Sequence, residues 1–385
     1  MGKPRRLLSI GHSYVVGVNR RLGHEMQRVG GSAWEVHIGA PAYFHGGRDL
    51  RPITFTPVPG EPCPVTVIPT YLTRFVHVFA YHMWELRKLL HRKWDVIHAW
   101  EEPYIVAGAQ LAACAPRTSR YVFNTAQNLS KWYPPPFNLL ERYAVAKSSG
   151  WVCTGSLIPR VLCARPGYAS RPHRVIPHGV DTEMFRPDRA AGLACRRSLG
   201  WDEPGPPVVG YLGRFVPEKG LSVLTRALDA VGAPWRALFV GAGPMEGELR
   251  AWAARHGGRV RVCTSVSHDR VPEHLSAMDV LAAPSQTTRR WREQFGRMLV
   301  EAMACGVAVA GSDSGEIPHV IGDSGLVVPE ADAGAWAAAL GELIENPARR
   351  TELGVAGRAR ARAEFAWSVV ARRHLDFFEE LLDAG

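Results

Sequence analysis

The chain has 385 residues, of which 46% are hydrophobic and 21% charged, which is enough for two domains with ordinary cores. No apolar run approaches the roughly 18 residues of a transmembrane helix, and the apolar run after the basic N-terminus is too short for a signal peptide. The formal net charge of +10 lies in the first half, because residues 1–180 hold 22 Lys and Arg against 9 Asp and Glu, while residues 181–385 hold 24 against 27.

The charge and the cysteines indicate classes of partner and compartment. A basic half favours an anionic partner, namely a membrane surface, an anionic acceptor or a nucleic acid, although a generic basic surface is an equal alternative. The sequence contains no nucleic-acid-binding module, so no nucleic-acid partner is expected. The seven cysteines form neither a Cys-x-x-Cys pair nor a zinc spacing, which favours a reducing, cytosolic compartment.

Short apolar runs alternate with helical patterns in both halves, which predicts βα units on parallel sheets. Strands are predicted at Leu7–Ile10, Trp34–Ile38, Asp95–His98, Tyr121–Asn124, Trp151–Thr154, Val208–Gly213, Ala237–Val240, Val260–Cys263, Val280–Ala283 and Val307–Ser312. Helices are predicted at Pro103–Cys114, Asn138–Ser148, Leu221–Val231, Met245–His256, Phe295–Ala304 and Trp367–Leu382. The predicted fold class is therefore α/β, with two Rossmann-like domains.

Pro and Gly residues interrupt the segment Val175–Pro187. About twenty residues later comes the predicted strand Val208–Gly213, which would be the first strand of a second domain. We therefore predict Rossmann-like domains at 1–178 and 190–366 and an amphipathic C-terminal helix at 367–385. In the first domain, the segment Tyr71–Trp94 combines large apolar side chains with five Arg and Lys residues. It fits a basic amphipathic segment on an anionic membrane, and core packing with a solvated basic face explains it equally well.

The loop Gly213–Gly220 follows a predicted strand and precedes a predicted helix. Arg214 offers a bidentate fork and Lys219 a point charge, both suited to phosphate oxygens. Ligands bind at the carboxyl ends of strands in such sheets, so the loop predicts a phosphate site. The loop Gly241–Gly247 lacks the Gly-x-Gly-x-x-Gly spacing and a later acidic strand end, so a nicotinamide enzyme is not expected.

Two carboxylates, Glu293 and Glu301, bracket a predicted helix start. The backbone N–H groups at such a start form an anion site. Glu301 lies about five residues into the helix, roughly 7–8 Å further along at ~1.5 Å per residue. That distance is similar to the span of a diphosphate between two sugars, so the spacing predicts a carboxylate at each end of such a ligand. Two solvated glutamates on an amphipathic helix are the alternative.

Taken together, these motifs resemble those of retaining GT-B glycosyltransferases of family 4. Four segments carry the resemblance: Glu293–Gly306, Gly213–Gly220, Ile176–Pro187 and Gly311–Pro318. The first contains Glu-x7-Glu before Ala-Met-Ala-Cys-Gly, and the second matches the family's Gly-Arg…Glu-Lys-Gly element. The resemblance covers nearly all of the second domain and covers the first domain only loosely.

The resemblance implies a GT-B architecture, in which two domains face a cleft and the C-terminal helix crosses back to the first domain. It implies transfer of a hexosyl group from a UDP- or GDP-sugar to an acceptor hydroxyl with retention of configuration, and without a metal or other cofactor. Arg214 and Lys219 would bind the diphosphate, Glu293 the sugar hydroxyls and Glu301 the ribose diol. The remaining donor-site residues would be Gly213, Gln294, Phe295, Gly296 and Arg297.

In the first domain, the resemblance implies an acceptor site at the carboxyl ends of the strands. Gly17, in the loop after the first strand, would let the backbone approach the donor phosphate or the acceptor. The candidates for contact with acceptor hydroxyls are Glu101, Glu102, Gln127, Asn128, His12 and His98. Many relatives have His near the position of Gln127, which cannot act as a base. In this family the departing phosphate is thought to help deprotonate the acceptor.

The acceptor would be a saccharide, a lipid-linked saccharide or a small-molecule metabolite, as in cell-envelope, exopolysaccharide or glycolipid biosynthesis. The enzyme would be cytoplasmic, with peripheral association to the inner face of the plasma membrane through its basic first domain. The alternatives are a GT-B-shaped nucleotide-sugar hydrolase or epimerase, and a non-enzymatic subunit that binds nucleotide-sugars.

Overall fold

The computed structural model describes residues 3–45, 52–201 and 204–384. It comprises two compact units, one formed by Met1–Pro177 with Trp367–Gly385 and the other by His178–Ala366. Each unit has a parallel sheet with helices around it, which confirms the predicted α/β fold class. Within the described residues, every helix is too short or too polar to cross a bilayer.

The first unit is built on a large parallel sheet. Its strands are β1 (Arg5–Ile10), β2 (Trp34–Pro41), β3 (Tyr43–Phe44), β4 (Ile53–Thr54), β5 (Val65–Ile68), β6 (Thr70–Tyr71), β7 (Ala80–Tyr81), β8 (Val96–Ala99), β9 (Arg120–Thr125), β10 (Gly150–Cys153) and β11 (His173–Val175). The sheet has the order β11-β10-β9-β8-β1-β2-β5, and the short strands pair antiparallel as β3-β4 and β6-β7. The first five helices of this unit are α1 (Arg21–Gly30), α2 (Met83–Leu90), α3 (Val106–Cys114), α4 (Phe137–Lys147) and α5 (Ile158–Leu162).

The second unit repeats the architecture with a six-stranded parallel sheet. Its helices are α6 (Arg189–Ser198), α7 (Leu221–Ala230), α8 (Glu246–Ala254), α9 (Val271–Ser276), α10 (Arg297–Ala304), α11 (Ile317–Ile321), α12 (Ala333–Glu345) and α13 (Pro347–Arg360). Its strands are β12 (Val208–Leu212), β13 (Arg236–Val240), β14 (Val260–Cys263), β15 (Val280–Ala283), β16 (Ala308–Ser312) and β17 (Leu326–Val328). The strand order is β14-β13-β12-β15-β16-β17.

The last helix, α14 (Trp367–Asp383), belongs to the first unit. Its buried face includes Val370, Leu375 and Phe378, which join Leu22 and Met26 of α1 in one apolar cluster. An amphipathic helix of this length is stabilised mainly by packing of its apolar face, which accounts for its docking against α1.

The predicted elements end within three residues of the observed ones. The match is close because helices cover both faces of a parallel sheet, so central strands appear as continuous apolar runs. The edge strands β5, β11 and β17 were not predicted, since they are short and partly exposed. The predicted helix start at Phe295 was early by two residues, because Gly296 has a left-handed conformation.

Candidate functional site

A cavity of about 560 Å³ lies in the second unit, at the carboxyl end of β12 and the start of α10. Its lining brings together the two segments that the sequence singled out, although they are far apart in the chain. The lining residues are His178, Leu212, Gly213, Arg214, Lys219, His268, Val271, Glu293, Gln294, Phe295, Gly296, Arg297, Met298 and Glu301. All the predicted donor-site residues of the second unit therefore lie around one cavity.

Lys219 and Glu293 form an ion pair in this cavity. The Nζ atom of Lys219 lies 2.5 Å from Oε2 of Glu293, and the two side chains are only 12% and 8% exposed. The same carboxylate oxygen accepts a hydrogen bond of 2.8 Å from the hydroxyl of Ser285, which is fully buried. The Trp291 ring lies 4.8 Å from the Lys219 ammonium and adds a cation–π contact. The pair is thus held in position by two further neighbours, Ser285 and Trp291.

The backbone that presents Lys219 requires glycine. Residues Pro217–Lys219 form a 3₁₀ turn, and Gly220 follows in a left-handed conformation with φ of 72° at the start of α7. A Cβ atom at Gly220 would lie 1.8 Å from the carbonyl oxygen of Pro284. Pro284 directly follows β15, so this close approach brings the turn against the loop that carries Glu293.

The start of α10 faces the cavity with backbone groups. Gly296 precedes the helix and has no side chain, so no side-chain oxygen of the N-cap accepts from the first N–H groups of α10. The guanidinium groups of Arg214 and Arg297 are 67% and 50% exposed. Exposed cations beside a helix start that lacks a side-chain cap form a site for an anion.

Glu301 lies in the first turns of α10, as the fifth residue of the helix. Its side chain is 12% exposed, and the nearest Arg297 nitrogen is 3.8 Å away. Burial raises the pKa of Glu301 to about 7, and the Arg297 guanidinium offsets this only in part. This carboxyl group therefore changes charge near neutral pH.

Sequence reasoning missed three residues of this site, namely Ser285, Trp291 and His268. Ser285 follows the predicted strand Val280–Ala283, so its position at a strand end was a usable signal. Trp291 and His268 carry no local signal, because only the folded chain brings Trp291 beside Lys219 and His268 to the cavity.

In the first unit, two of the predicted acceptor-site residues are in contact. The Nδ1 atom of His12 lies 2.6 Å from Oε2 of Glu101, and the Tyr81 hydroxyl donates to Oε1 of Glu101 at 2.7 Å. Burial alone would lower the pKa of His12, but its contact with the Glu101 carboxylate outweighs this and raises the pKa above its ordinary value. The buried Tyr81 hydroxyl beside this carboxylate has a pKa well above its ordinary value.

Glu102 points elsewhere, towards the end of β9. Its Oε1 accepts from the backbone N–H of Ala126 at 2.7 Å, and its Oε2 accepts from the Thr125 hydroxyl at 2.7 Å. Burial raises the pKa of Glu102 to about 7, although both hydrogen bonds lower it. Gln127 and Asn128 are 7% and 5% exposed, and the Gln127 amide donates to the Leu129 carbonyl at 2.6 Å.

The structure does not support two of the sequence-based hypotheses. His98 is fully buried, bonds Ser9 through Nδ1 and packs 5.3 Å from the Phe378 ring of α14, which leaves it no surface for an acceptor. Gly17 begins a 3₁₀ turn, where a Cβ atom would lie 2.5 Å from the Val58 side chain. Close packing with Val58 thus explains glycine at this position without a ligand.

No group of three or more His, Cys, Asp and Glu side chains in residues 3–45, 52–201 and 204–384 is arranged to hold a metal ion. The basic side chains that line the cavity of the second unit include Arg214, Lys219 and Arg297.

Comparison with known proteins gives matches in both units. A family model described as glycosyl transferases group 1 matches residues 206–346, and one described as glycosyltransferase family 4 matches residues 15–184. The solved structure of Alr3699/HepE of Anabaena, in complex with UDP, is 19% identical and has a TM-score of 0.74. It covers 98% of this chain and 100% of that one, so the two proteins share a fold.

Two curated relatives have similar sequences. A GDP-mannose-dependent monoacylated alpha-(1-6)-phosphatidylinositol monomannoside mannosyltransferase of Corynebacterium glutamicum is 33% identical over 205 residues, which are 51% of this chain and 54% of that protein. A GDP-mannose-dependent alpha-(1-6)-phosphatidylinositol monomannoside mannosyltransferase of Mycobacterium tuberculosis is 31% identical over 296 residues, which are 73% of this chain and 76% of that protein. The match therefore spans about half the length of the first relative and three quarters of the second.

Proposed function

This chain belongs to the family 4, group 1 glycosyltransferases, and from that premise we propose that it transfers a hexosyl group from a nucleotide-sugar to an acceptor hydroxyl with retention of configuration. The observation that carries the proposal is the cavity in the second unit. The helix start without a side-chain cap, the cations Arg214, Lys219 and Arg297, and the carboxylates Glu293 and Glu301 all line it. A nucleoside diphosphate-sugar has the matching order of groups, with hydroxyls at each end of a diphosphate.

Each group in the cavity has a role in this reaction. Lys219, Arg214 and the first N–H groups of α10 neutralise the charge that develops on the departing diphosphate. Glu293 orients the hexosyl hydroxyls, and Glu301 accepts from the ribose diol. Positive charge fixed in advance stabilises the leaving group in the transition state, so the proposed reaction uses no metal ion.

The named relatives support a proposal for the donor and the acceptor. Both curated relatives are GDP-mannose-dependent and act on a phosphatidylinositol mannoside, whereas the solved neighbour binds UDP. We therefore propose GDP-mannose as the donor and a glycolipid of the cell envelope as the acceptor. A UDP-hexose donor and a small-molecule acceptor are the second candidates.

The surface of the first unit favours an acceptor held at a membrane. Among the described residues, sixteen large hydrophobic side chains are prominently exposed, and fourteen of them lie in the first unit. Several belong to the segment Tyr71–Trp94, including Leu72 at 64% and Trp84 at 76% exposure, and all five basic residues of that segment are exposed. We propose that this face binds anionic lipid peripherally, at the cytoplasmic side of the plasma membrane.

Vesicle sedimentation tests the membrane proposal. The protein is expected to sediment with phosphatidylglycerol vesicles at low salt, to remain in solution with phosphatidylcholine vesicles, and to be released by about 0.5 M salt as charge is screened. The double variant Trp84→Ser with Lys88→Ala should weaken sedimentation. Val355→Ser, which alters an exposed apolar residue of the second unit, serves as the control. Equal sedimentation with both lipids would contradict the proposal.

A thermal-shift panel tests the donor site. UDP, GDP, ADP and their common hexose conjugates are added to the wild type and to Lys219→Ala, and stabilisation by GDP-mannose that is lost in the variant is expected. No shift with any nucleotide-sugar would contradict the donor site. Product analysis then separates the enzyme classes, because release of free sugar whatever acceptor is offered would favour a hydrolase over a transferase.

A further inference from the structure

The loop Thr287–Arg292 borders the cavity of the second unit and carries two arginines that have no part in the donor site. It follows β15 and directly precedes Glu293. Arg289 and Arg290 are both exposed, and the lining of the cavity includes neither of them. Across the described parts of the chain, neither guanidinium pairs with a carboxylate. Both are therefore available to an anion from solution.

The two arginines occupy the centre of a tight turn. The backbone N–H of Thr288 donates to the Trp291 carbonyl at 2.8 Å. The Thr288 hydroxyl accepts from the backbone N–H of Trp291 at 2.9 Å and from that of Arg290 at 3.3 Å. A threonine hydroxyl that bonds nearby backbone in this way stabilises a turn. Arg289 and Arg290 therefore have fixed backbone positions next to each other.

Both ends of the loop are anchored close to Glu293. At its start, the Thr287 hydroxyl lies 2.9 Å from the hydroxyl of Ser314, in the turn that follows β16. At its end, the Trp291 ring lies 4.8 Å from the Lys219 ammonium, which pairs with Glu293. These contacts are made within the second unit, and they place the loop at the end of the cavity that Glu293 occupies.

The acceptor has to reach this end of the cavity in the proposed reaction. Glu293 is assigned to the hexosyl hydroxyls, so the anomeric carbon lies close to Glu293 and the acceptor hydroxyl has to approach it there. The parts of the acceptor next to that hydroxyl then come within reach of the loop. A guanidinium forms paired hydrogen bonds with phosphate oxygens, and two adjacent arginines offer such pairs to one phosphate group.

Resting on the glycosyl transfer proposed above, we propose that Arg289 and Arg290 bind a phosphate group of the acceptor and select phosphorylated over neutral acceptors. Lys219 and Arg214 act on the donor diphosphate, whereas the two loop arginines act on the acceptor alone. They determine specificity and take no part in the chemical step, so they lower the KM for the acceptor and leave kcat unchanged. Because both side chains are exposed, salt screens their attraction for the phosphate.

A pair of water-soluble acceptors tests this selection without a bilayer. Glycerophosphoinositol mannoside carries a phosphodiester, and mannosyl-inositol lacks it. With GDP-mannose as the donor, the wild-type KM should be about tenfold lower for the phosphodiester, which is the scale of two exposed ion pairs. The preference should disappear at about 0.5 M salt. Equal KM values for the two acceptors at low salt would overturn the proposal.

The double variant Arg289→Gln with Arg290→Gln removes both charges and keeps polar side chains. Its KM values for the two acceptors should be equal, with kcat and the KM for GDP-mannose unchanged. The matched control is Arg197→Gln with Arg226→Gln, which removes two exposed arginines from α6 and α7 and should keep the wild-type preference. A tenfold preference that persists in the loop variant would contradict the role of the loop.

Lysine replacements separate the charge from the shape of the guanidinium. Arg289→Lys with Arg290→Lys keeps both charges but loses the paired hydrogen bonds, so it should restore only part of the preference. If the loop had a purely structural role, the glutamine and lysine variants would both lower kcat, and they would do so equally for the two acceptors. That result would overturn the assignment.

Anionic lipid of the bilayer is the other source of phosphate, and vesicles distinguish it from the acceptor. Mannosyl-diacylglycerol, a neutral acceptor, is offered in phosphatidylglycerol vesicles beside phosphatidylinositol monomannoside. The glutamine variant should raise the KM only for the phosphorylated acceptor. An equal rise for both would mean that the arginines bind the bilayer, and the selection of the acceptor would be refuted.

Direct binding separates failure of this inference from failure of the proposed function. Absence of product with every acceptor, although GDP-mannose binds, would overturn the transfer, whereas activity without a phosphate preference would overturn only the role of the loop. Saturation-transfer NMR with glycerophosphoinositol mannoside examines the loop without turnover. Binding to wild type should weaken in the glutamine variant, and equal binding would overturn the anion site itself.

Discussion

Replacing Lys219 by alanine is expected to lower kcat for glycosyl transfer by about 10²-fold or more. The ammonium is nearly buried and held against Glu293 and Trp291, so it provides a fixed positive charge rather than a mobile one. A fixed charge stabilises the departing diphosphate without reorganisation at the moment of reaction. Steady-state kinetics with GDP-mannose give kcat and KM separately, and the loss should appear mainly in kcat.

Two further variants define what Lys219 contributes. Lys219 is the only lysine among residues 181–385, where the other 23 basic residues are arginine, so Lys219→Arg asks whether a compact ammonium is needed. The longer planar guanidinium has to fit between the Glu293 carboxylate and the Trp291 ring, and we expect it to recover only part of the activity. Arg250→Ala removes a solvent-exposed ion pair on α8 and is the matched control.

Glu293→Gln should be as damaging as Lys219→Ala, because the carboxylate holds Lys219 and the hydroxyl of Ser285 at once. The amide has similar size but no charge, so it leaves the ammonium partly desolvated without its partner. Thermal melts should show that both variants remain folded. Full turnover in a folded Lys219→Ala or Glu293→Gln variant would contradict the assignment of the site.

The sequence was sufficient to predict which segments line the cavity of the second unit, though not how their side chains meet. Glu293 and Glu301 were recognisable because their spacing about a helix start is local. The contact between Lys219 and Glu293 joins residues 74 positions apart, and it depends on the left-handed Gly220 passing close to Pro284. Such a contact is a property of the folded backbone, which residue spacing alone does not determine.

In the first unit, the sequence did not distinguish a side chain that remains accessible from one that is packed in the core. His12 and His98 both lie near the ends of predicted strands, and the sequence placed them on equal terms. In the structure, His98 faces α14 and is fully buried, whereas His12 lies beyond β1 and keeps part of its ring exposed. Both faces of a central parallel strand are covered, so residue type and alternation do not distinguish a ligand-facing side chain from a packed one.

The affinity for GDP-mannose is expected to rise by up to about tenfold between pH 6 and pH 8, because Glu301 ionises over this range. Its raised pKa of about 7 leaves roughly one tenth of the carboxyl groups ionised at pH 6 and nine tenths at pH 8. The ionised form is the stronger acceptor for the ribose diol, so the ligand binds it preferentially. A sugar diphosphate diester does not titrate in this range, which makes GDP-mannose a better probe than GDP.

Calorimetry on Glu301→Gln isolates this effect. The variant should bind GDP-mannose more weakly than wild type at pH 8 and show little change of affinity between pH 6 and pH 8. His268 also lines the cavity, and its pKa is lowered by burial and, to a lesser extent, by Arg297. As the pH rises, His268 therefore loses its positive charge before Glu301 becomes ionised. This loss weakens anion binding and opposes the effect of Glu301. Because His268 remains in Glu301→Gln, its opposing trend is measured directly there. An affinity of the wild type that fell from pH 6 to pH 8 would mean that Glu301 binds the donor in its protonated form, as a hydrogen-bond donor.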